Sequence, residues 1–247
     1  MLNRINFRDF GGGVTLDGRK IRTGLLYRSG VLQKLNDEDL AYVKVLNVQH
    51  VIDFRSIEEQ DRVPAFLPGK IKISMPCNID RMTRERLRPL LLRRKADDRI
   101  MNVIDGVYSD MVDMMAEPMG RLISLILTPG ALPLIIHCRA GKDRTGFAVA
   151  MIQWFLGMDR DSIYKEYLRS NDFLMPKISK AIKRLRYITI GLFPQGNLQA
   201  AFEVKEKYLS TAMKKVDQSY GGIENYLMST GITSAQLEQL RSILLEP

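Results

Sequence analysis

The segment Leu134-Ile135-Ile136-His137-Cys138-Arg139-Ala140-Gly141-Lys142-Asp143-Arg144-Thr145-Gly146 gathers the most reactive side chains of the sequence. An apolar run ends at His137, a loop follows, and a helix is predicted to open near Arg144 or Thr145. Cys138 stands where strand gives way to loop. The backbone amides of Arg139, Ala140, Gly141 and Lys142, with the helix N-terminus, would then face one concavity and form an anion nest. Arg144 closes it with a planar fork that can hold two phosphate oxygens at once. The same positive field should favour the Cys138 thiolate. A thiolate facing a bound phosphate is a nucleophile for phosphoryl transfer. Gly141 permits a positive φ in a tight loop, and Gly146 permits close helix packing. Thr145 can give a hydrogen bond to the sulfur and help it leave in a second step.

Spacing narrows the chemistry. Residues 139–143 separate Cys138 from Arg144. That loop is of phosphate size, longer than the loop of sulfur-transferring rhodaneses. A nucleotide-binding loop needs Gly-x-x-x-x-Gly-Lys-Ser/Thr. Here Asp143 follows Gly141-Lys142, and the earlier glycine is missing. A buried structural cysteine beside a chance arginine is the bland alternative. The register of His137, Cys138, Gly141, Arg144 and Thr145 at one strand-loop-helix junction argues against it. His137 is read as a donor to the loop backbone rather than as a base, and His50 as structural. The two histidines and two cysteines lie far apart in sequence, so no zinc site is expected. The expected reaction takes no metal and no cofactor, because the loop amides and Arg144 neutralise the phosphate.

The rest of the chain must position this loop. Leu25–Arg28, Gln49–Phe54, Lys70–Met75 and Leu134–His137 read as strands. Asn36 caps a helix whose first turn carries Asp37, Glu38 and Asp39. Val107–Leu127 reads as one long helix and Arg144–Leu156 as another. This alternation predicts an α/β fold, a central and mostly parallel sheet of four or five strands flanked by helices. After Asp159 the pattern is helical to the end, with breaks near Gly191 to Gly196, Gly221-Gly222 and Gly231. Thr233-Ser-Ala-Gln236 is a capping box for the last helix. No linker composition interrupts the chain, so residues 1–247 are read as one domain with a helical C-terminal half.

Composition excludes several classes. Hydrophobic residues make up 45% and charged residues 26%, so the chain is neither disordered nor fibrous. The longest apolar stretch, Leu122 to Ile136, is broken by Pro129-Gly130 and Pro133, so no membrane span is expected. Met1 to Arg8 lacks an apolar core, which predicts no signal peptide. The chain is expected in the cytoplasm, or exported by a route without a signal. Two cysteines, Cys77 and Cys138, do not make a disulfide framework. Together they could form a protective disulfide on oxidation. The net charge of +9 suggests an anionic partner. Nucleic acid is not expected, since no recognition motif or interleaved aromatics occur. Arg81–Arg99 holds seven arginines and Lys95. Lys177–Arg186 holds five cations and an apolar stripe of Ile178, Ile182 and Leu185. Such a helix can touch an anionic membrane peripherally, or dock on the core and leave a solvated basic face.

The loop closely resembles that of the bacterial tyrosine phosphatase family, which reads HCxxGKDRTG. Further matches are Asn6-Phe-Arg-Asp-Phe-Gly-Gly12, Tyr27-Arg28-Ser29 with Leu32, and Val51-Ile-Asp53-Phe-Arg55-Ser with Glu59. Glu166-Tyr-Leu-Arg-Ser170-Asn171 and the segment from Tyr220-Gly to Leu240-Arg241 also fit, so the resemblance runs along nearly the whole chain. It implies a fold like that of dual-specificity phosphatases. It also implies a cysteine-dependent phosphomonoesterase acting on phosphotyrosine proteins or on phosphoinositides; several members are secreted virulence factors. It assigns the general acid to Asp143, which could instead brace the loop by pairing with Arg139 or Lys142. Asp80, after the third strand where related phosphatases carry a mobile acid loop, is the alternative acid. Asp53 is read as paired with Arg55 or Arg28. Lys142 resembles the extra loop lysines of lipid phosphatases, unless Asp143 neutralises it. Residues 172–199 would form a helical lid, or else plain core helices. A catalytically dead phosphate-binding module is the last alternative, and the joint presence of Cys138, Asp143, Arg144 and Thr145 argues against it.

Overall fold

The computed structural model describes residues 2–33, 35–64, 67–93, 95–189 and 194–247. After a turn of 3-10 helix at Leu2–Ile5 come β1 (Arg8–Asp9), β2 (Leu26–Ser29), α1 (Asp37–Val45), β3 (His50–Asp53) and α2 (Ile57–Arg62). Next are β4 (Ile71–Ser74), α3 (Ile79–Leu91), α4 (Asp97–Met114), α5 (Ala116–Ile126), β5 (Leu134–His137) and α6 (Arg144–Phe155). The remainder is α7 (Arg160–Leu168), α8 (Ser170–Ile188), α9 (Gln195–Phe202), α10 (Glu206–Tyr220), α11 (Ile223–Met228) and α12 (Ser234–Leu244).

Among the described residues the strands form one five-stranded sheet in the order β1-β2-β5-β3-β4. Only β1 runs antiparallel to its neighbour. The fold is therefore the expected one. β5 takes the centre because Leu134, Ile135, Ile136 and His137 are all buried, and a strand apolar on both faces needs helices on both. Its last residue, His137, lies level with Ser29 of β2 and Asp53 of β3. Cys138 thus emerges at the carboxyl ends of the three central strands, the usual place for a ligand crevice in a parallel sheet.

One expectation fails. The helix read over Val107–Leu127 is two helices, α4 and α5, which meet at Met115. Pro118 has no N–H to give to Met114, and its ring crowds that carbonyl, so the first helix stops there. α4 also begins much earlier, at Asp97, with two acids in its first turn. Other local signals hold. Asn36 caps α1 and Thr233 with Gln236 forms the capping box of α12, as read from the sequence; the fold adds that Asp39 completes a box at α1 and that Ser56 and Glu59 form one at α2.

On α8, Ile182 is buried and Ile178 and Leu185 are half-buried, while Lys180, Lys183 and Arg184 face solvent. The helix is docked on the body and leaves its basic face wet. Asn171 ties its start to the segment after α9, giving to the Val204 carbonyl and accepting from the Val204 amide, both at 2.9 Å. Asn197 of α9 gives to the carbonyls of Leu90, Leu91 and Arg93 at the end of α3. The break expected at Gly191 lies outside the described residues. No helix of the described residues is long and apolar enough to cross a membrane.

Candidate active site

The 138–143 loop is braced from outside. Asn6 Nδ2 gives to the Gly141 carbonyl at 2.9 Å and the Ala140 carbonyl at 3.3 Å. Arg28 Nη2 gives to the Gly141 carbonyl at 2.7 Å, and the Val31 amide to the Arg139 carbonyl at 3.1 Å. In a trans peptide the C=O and the next N–H point opposite ways. Carbonyls of 139, 140 and 141 drawn outward therefore turn the amides of Ala140, Gly141 and Lys142 inward, as an anion nest requires. Gly141 has φ +68, and a Cβ there would sit 2.5 Å from the Ser29 carbonyl. A Cβ on Gly146 would come within 3.1 Å of the Tyr167 ring. Both glycines are where close approach demands them.

Cys138 is buried at the foot of the loop. Arg144 opens α6 and is held by Glu59, Nη1 to Oε2 at 2.6 Å and Nη2 to Oε1 at 3.2 Å. Its Nη1 also gives to the carbonyls of Phe54 and Cys77, each at 3.3 Å. Burial alone would lower the Arg144 guanidinium, but the Cys138 and Glu59 charges outweigh it and hold it above its ordinary value. A permanent cation is thus fixed beside the thiol.

Asp143 is a third exposed, and its Oδ1 accepts from the Tyr108 hydroxyl at 2.8 Å. Lys142 Nζ stands 3.4 Å from the same oxygen and 3.5 Å from the Ala201 carbonyl of α9. Asp80 lies in the first turn of α3 and pairs with Arg84 at 2.7 Å. Asp53 is held by Arg55, Nη2 at 2.7 Å and Nε at 2.9 Å, as expected of a structural pair. Arg139 is exposed at the mouth, beside a recess of about 210 Å³ that Arg55, Arg62 and Arg84 also line. A second recess, of about 250 Å³, adds Arg81 and Arg88.

Residues 2–246 match the model of the tyrosine phosphatase family. The chain belongs to this family. It is similar to the triple specificity protein phosphatase PtpB of Mycobacterium tuberculosis, 29% identical over 97% of this chain and 96% of that protein. A putative tyrosine-protein phosphatase of Cupriavidus necator is 31% identical over 90% of this chain and 80% of its own length. Among solved structures, TpbA of P. aeruginosa aligns at 15% identity with a TM-score of 0.37, over 87% of this chain and 91% of that one. As a member of the family the chain is a phosphoric monoester hydrolase.

Several residues of the phosphatase site differ from, or add to, the sequence reading. The Thr145 hydroxyl is buried without a hydrogen-bond partner among the described residues, so the expected bond to the Cys138 sulfur is not made in this structure. Glu59 was legible only as part of a family match; the fold makes it the anchor of Arg144. Asn6, just before β1, and Arg28, on β2, likewise gain loop-bracing roles from the fold, not from any spacing along the chain. Two charges, Arg8 and Arg28, share Glu166 behind the loop, at 2.7 and 3.5 Å. Burial and the neighbouring Arg8 push Arg28 down to about 9, so it still carries its charge at neutral pH.

His137 is fully buried, and its Nδ1 lies 3.3 Å from the Cys138 carbonyl, to which only a ring N–H can give. Burial pushes the imidazole down to about 4 against the pull of Asp53. The folded protein thus refuses a proton that the unfolded chain takes up near 6.5. Between those values the unfolded state binds more protons, so stability falls as pH drops from 6.5 towards 4. The expected contribution is about 1 kcal/mol per pH unit at most. Urea unfolding at pH 7 and pH 5 should show this slope in the wild type and a shallower one in His137→Gln.

Proposed function

We propose that the chain hydrolyses phosphotyrosine, with dual specificity within reach of the same site, through a phosphocysteine intermediate. The observation that carries this reading is Arg144, locked by Glu59 beside buried Cys138 at the rim of a loop whose amides turn inward. Cys138 Sγ attacks phosphorus in line with the leaving oxygen. The loop amides and Arg144 hold the equatorial oxygens, whose charge they neutralise. The phosphorus–oxygen bond breaks, and Asp143 gives the leaving phenolate its proton. A water then attacks the phosphocysteine, Asp143 takes its proton, and the sulfur departs; Thr145 can assist that departure by turning its unpartnered hydroxyl to the sulfur. Asp143 is preferred to Asp80 because it lies within the loop, whereas Asp80 is tied to Arg84. Residues 1–247 act as one phosphatase unit, with 172–199 as a lid; α9, which the lid enters, continues to Ala201, whose carbonyl accepts from Lys142 of the loop.

A phosphoinositide substrate is the second reading, and the arginine-lined recess beside Arg139 favours it. Lys142 and the exposed cations of α8 would add attraction to an anionic membrane surface without insertion. Phosphate release from phosphotyrosine peptides, phosphoserine peptides and singly to triply phosphorylated phosphoinositides, at low and high salt, tests both. Peptide turnover with little lipid turnover supports the first; strong, salt-sensitive lipid turnover supports the second. No turnover, with phosphate analogues still bound, would leave only a binding module.

Cys77 touches the same site through its carbonyl, and burial pushes its thiol up to about 11. It is therefore a slow attacker at neutral pH. If it nevertheless protects Cys138 as a disulfide, peroxide-treated wild type recovers activity with a thiol reductant and Cys77→Ser does not. Equal recovery would end that pairing.

A further inference from the structure

We infer that Tyr108 positions the acid of the reaction and decides which oxygen of Asp143 carries the transferred proton. The inference rests on the reading of Asp143 as the general acid. Tyr108 sits in the middle of α4, is fully buried, and meets Asp143 Oδ1 at 2.8 Å. Its hydroxyl also lies 2.6 Å from the Tyr167 hydroxyl of α7. A phenol has one proton to give. A carboxylate oxygen can only accept, so while Asp143 is ionised the Tyr108 proton points to it. Tyr167 must then donate to Tyr108. The three groups form a one-way chain, Tyr167 to Tyr108 to Asp143.

That chain breaks the symmetry of the carboxyl group. Oδ1 receives Tyr108 and faces the Lys142 ammonium. Among the described residues Oδ2 has no partner, and the side chain is a third open to solvent. A proton on Oδ1 would displace the Tyr108 bond and face a cation, so it resides on Oδ2. In the first step Oδ2 gives this proton to the leaving oxygen, and the new negative charge is met by Tyr108 and Lys142. In the second step Oδ2 takes one proton from the attacking water, and Tyr108 keeps its own throughout.

The tyrosine is rigid enough for the task. Its ring stacks on Tyr208 of α10 at 5.7 Å and meets Tyr167 edge-on at 6.2 Å. Burial raises both Tyr108 and Tyr167 well above the usual phenol range, so neither ionises where the enzyme works. Around them, Lys142 is the cation at Asp143, Arg28 faces Tyr167, and Asp105 and Glu203 face Tyr208. Tyr208 stacks in the same cluster, yet its hydroxyl has no partner, which makes it a built-in control.

The test is the pH profile of kcat for the wild type, Tyr108→Phe, Tyr167→Phe, Tyr208→Phe and Asp143→Asn. Each is run on a phosphotyrosine peptide and on p-nitrophenyl phosphate, whose leaving group needs little acid help. Losing a donor to the carboxylate makes Asp143 harder to ionise. Tyr108→Phe should therefore move the basic limb up by about one pH unit. It should lower kcat on the peptide about 10-fold with KM nearly constant, and lower it less on p-nitrophenyl phosphate. Tyr167→Phe should shift the limb the same way by less, and it covers the case in which Tyr108→Phe folds poorly. Tyr208→Phe should leave the limb in place. An unmoved limb in both Tyr108→Phe and Tyr167→Phe, or equal losses on both substrates, overturns the inference. Wild-type peptide turnover by Asp143→Asn would instead remove the acid reading on which it rests.

Discussion

Cys138→Ser is expected to abolish phosphate release, by about 10⁵-fold or more, while leaving the fold intact. The reason is chemical rather than steric. A serine hydroxyl is close to a thiol in size, and the site is buried, so little packing changes. An alcohol stays protonated at neutral pH and is a far weaker nucleophile than a thiolate. The phosphate cradle does not depend on the sulfur. The inward amides follow from outward carbonyl bonds to Asn6, Arg28 and Val31, and Arg144 is held by Glu59. Phosphate or vanadate should therefore still bind and raise the melting temperature. Residual turnover within about 100-fold of the wild type would mean that Cys138 is not the nucleophile.

Glu59→Gln is expected to be less damaging to activity than Cys138→Ser but worse for stability. It keeps the shape of the side chain and removes the charge. Arg144 then loses its carboxylate partner while staying buried, which typically costs about 3 kcal/mol. For a protein of this size that is a drop of about 8 °C in melting temperature. A guanidinium free to turn also loses its alignment with the phosphate, for about 100-fold in kcat/KM. The same carboxylate accepts from the Ser56 amide at 3.2 Å, a bond the Gln amide oxygen can keep, so the loss falls on Arg144 rather than on the cap of α2. Saturating phosphate restores a counter-charge to Arg144 and should raise the variant's melting temperature more than that of the wild type. Equal shifts in the two proteins would mean that Glu59 does not balance the charge of Arg144.

Both predictions join a residue visible along the chain to one visible only in space. Cys138, Gly141 and Arg144 lie within seven consecutive positions, and one strand-loop-helix turn brings them together. Local physics suffices there: amides at a helix start attract anions, and glycine alone turns tightly at φ +68. The helix caps at Asn36 and Thr233 were legible for the same reason, since each closes within four residues. The strands were legible because β5, buried on both faces, is written as an uninterrupted apolar run.

Long-range partners carry no such mark. Glu59 reaches Arg144 across 85 positions and Asn6 reaches Gly141 across 135, and only the order β1-β2-β5-β3-β4 makes these pairs neighbours. Tyr108 reads as one more apolar position on a helix until α4, α7 and α10 close on Asp143. The α4–α5 break shows the reverse error, where an apolar pattern outlasted the helix and Pro118 stopped it. The sequence by itself determined the reactive loop, the parallel sheet beneath it and the family, because these depend on contacts between near neighbours in the chain. Tertiary structure decided what holds Arg144, what braces the loop and which oxygen of Asp143 is free. Those are decided by charges and hydrogen bonds that must find partners once water has been excluded, and the partners come from whichever segments the sheet brings alongside.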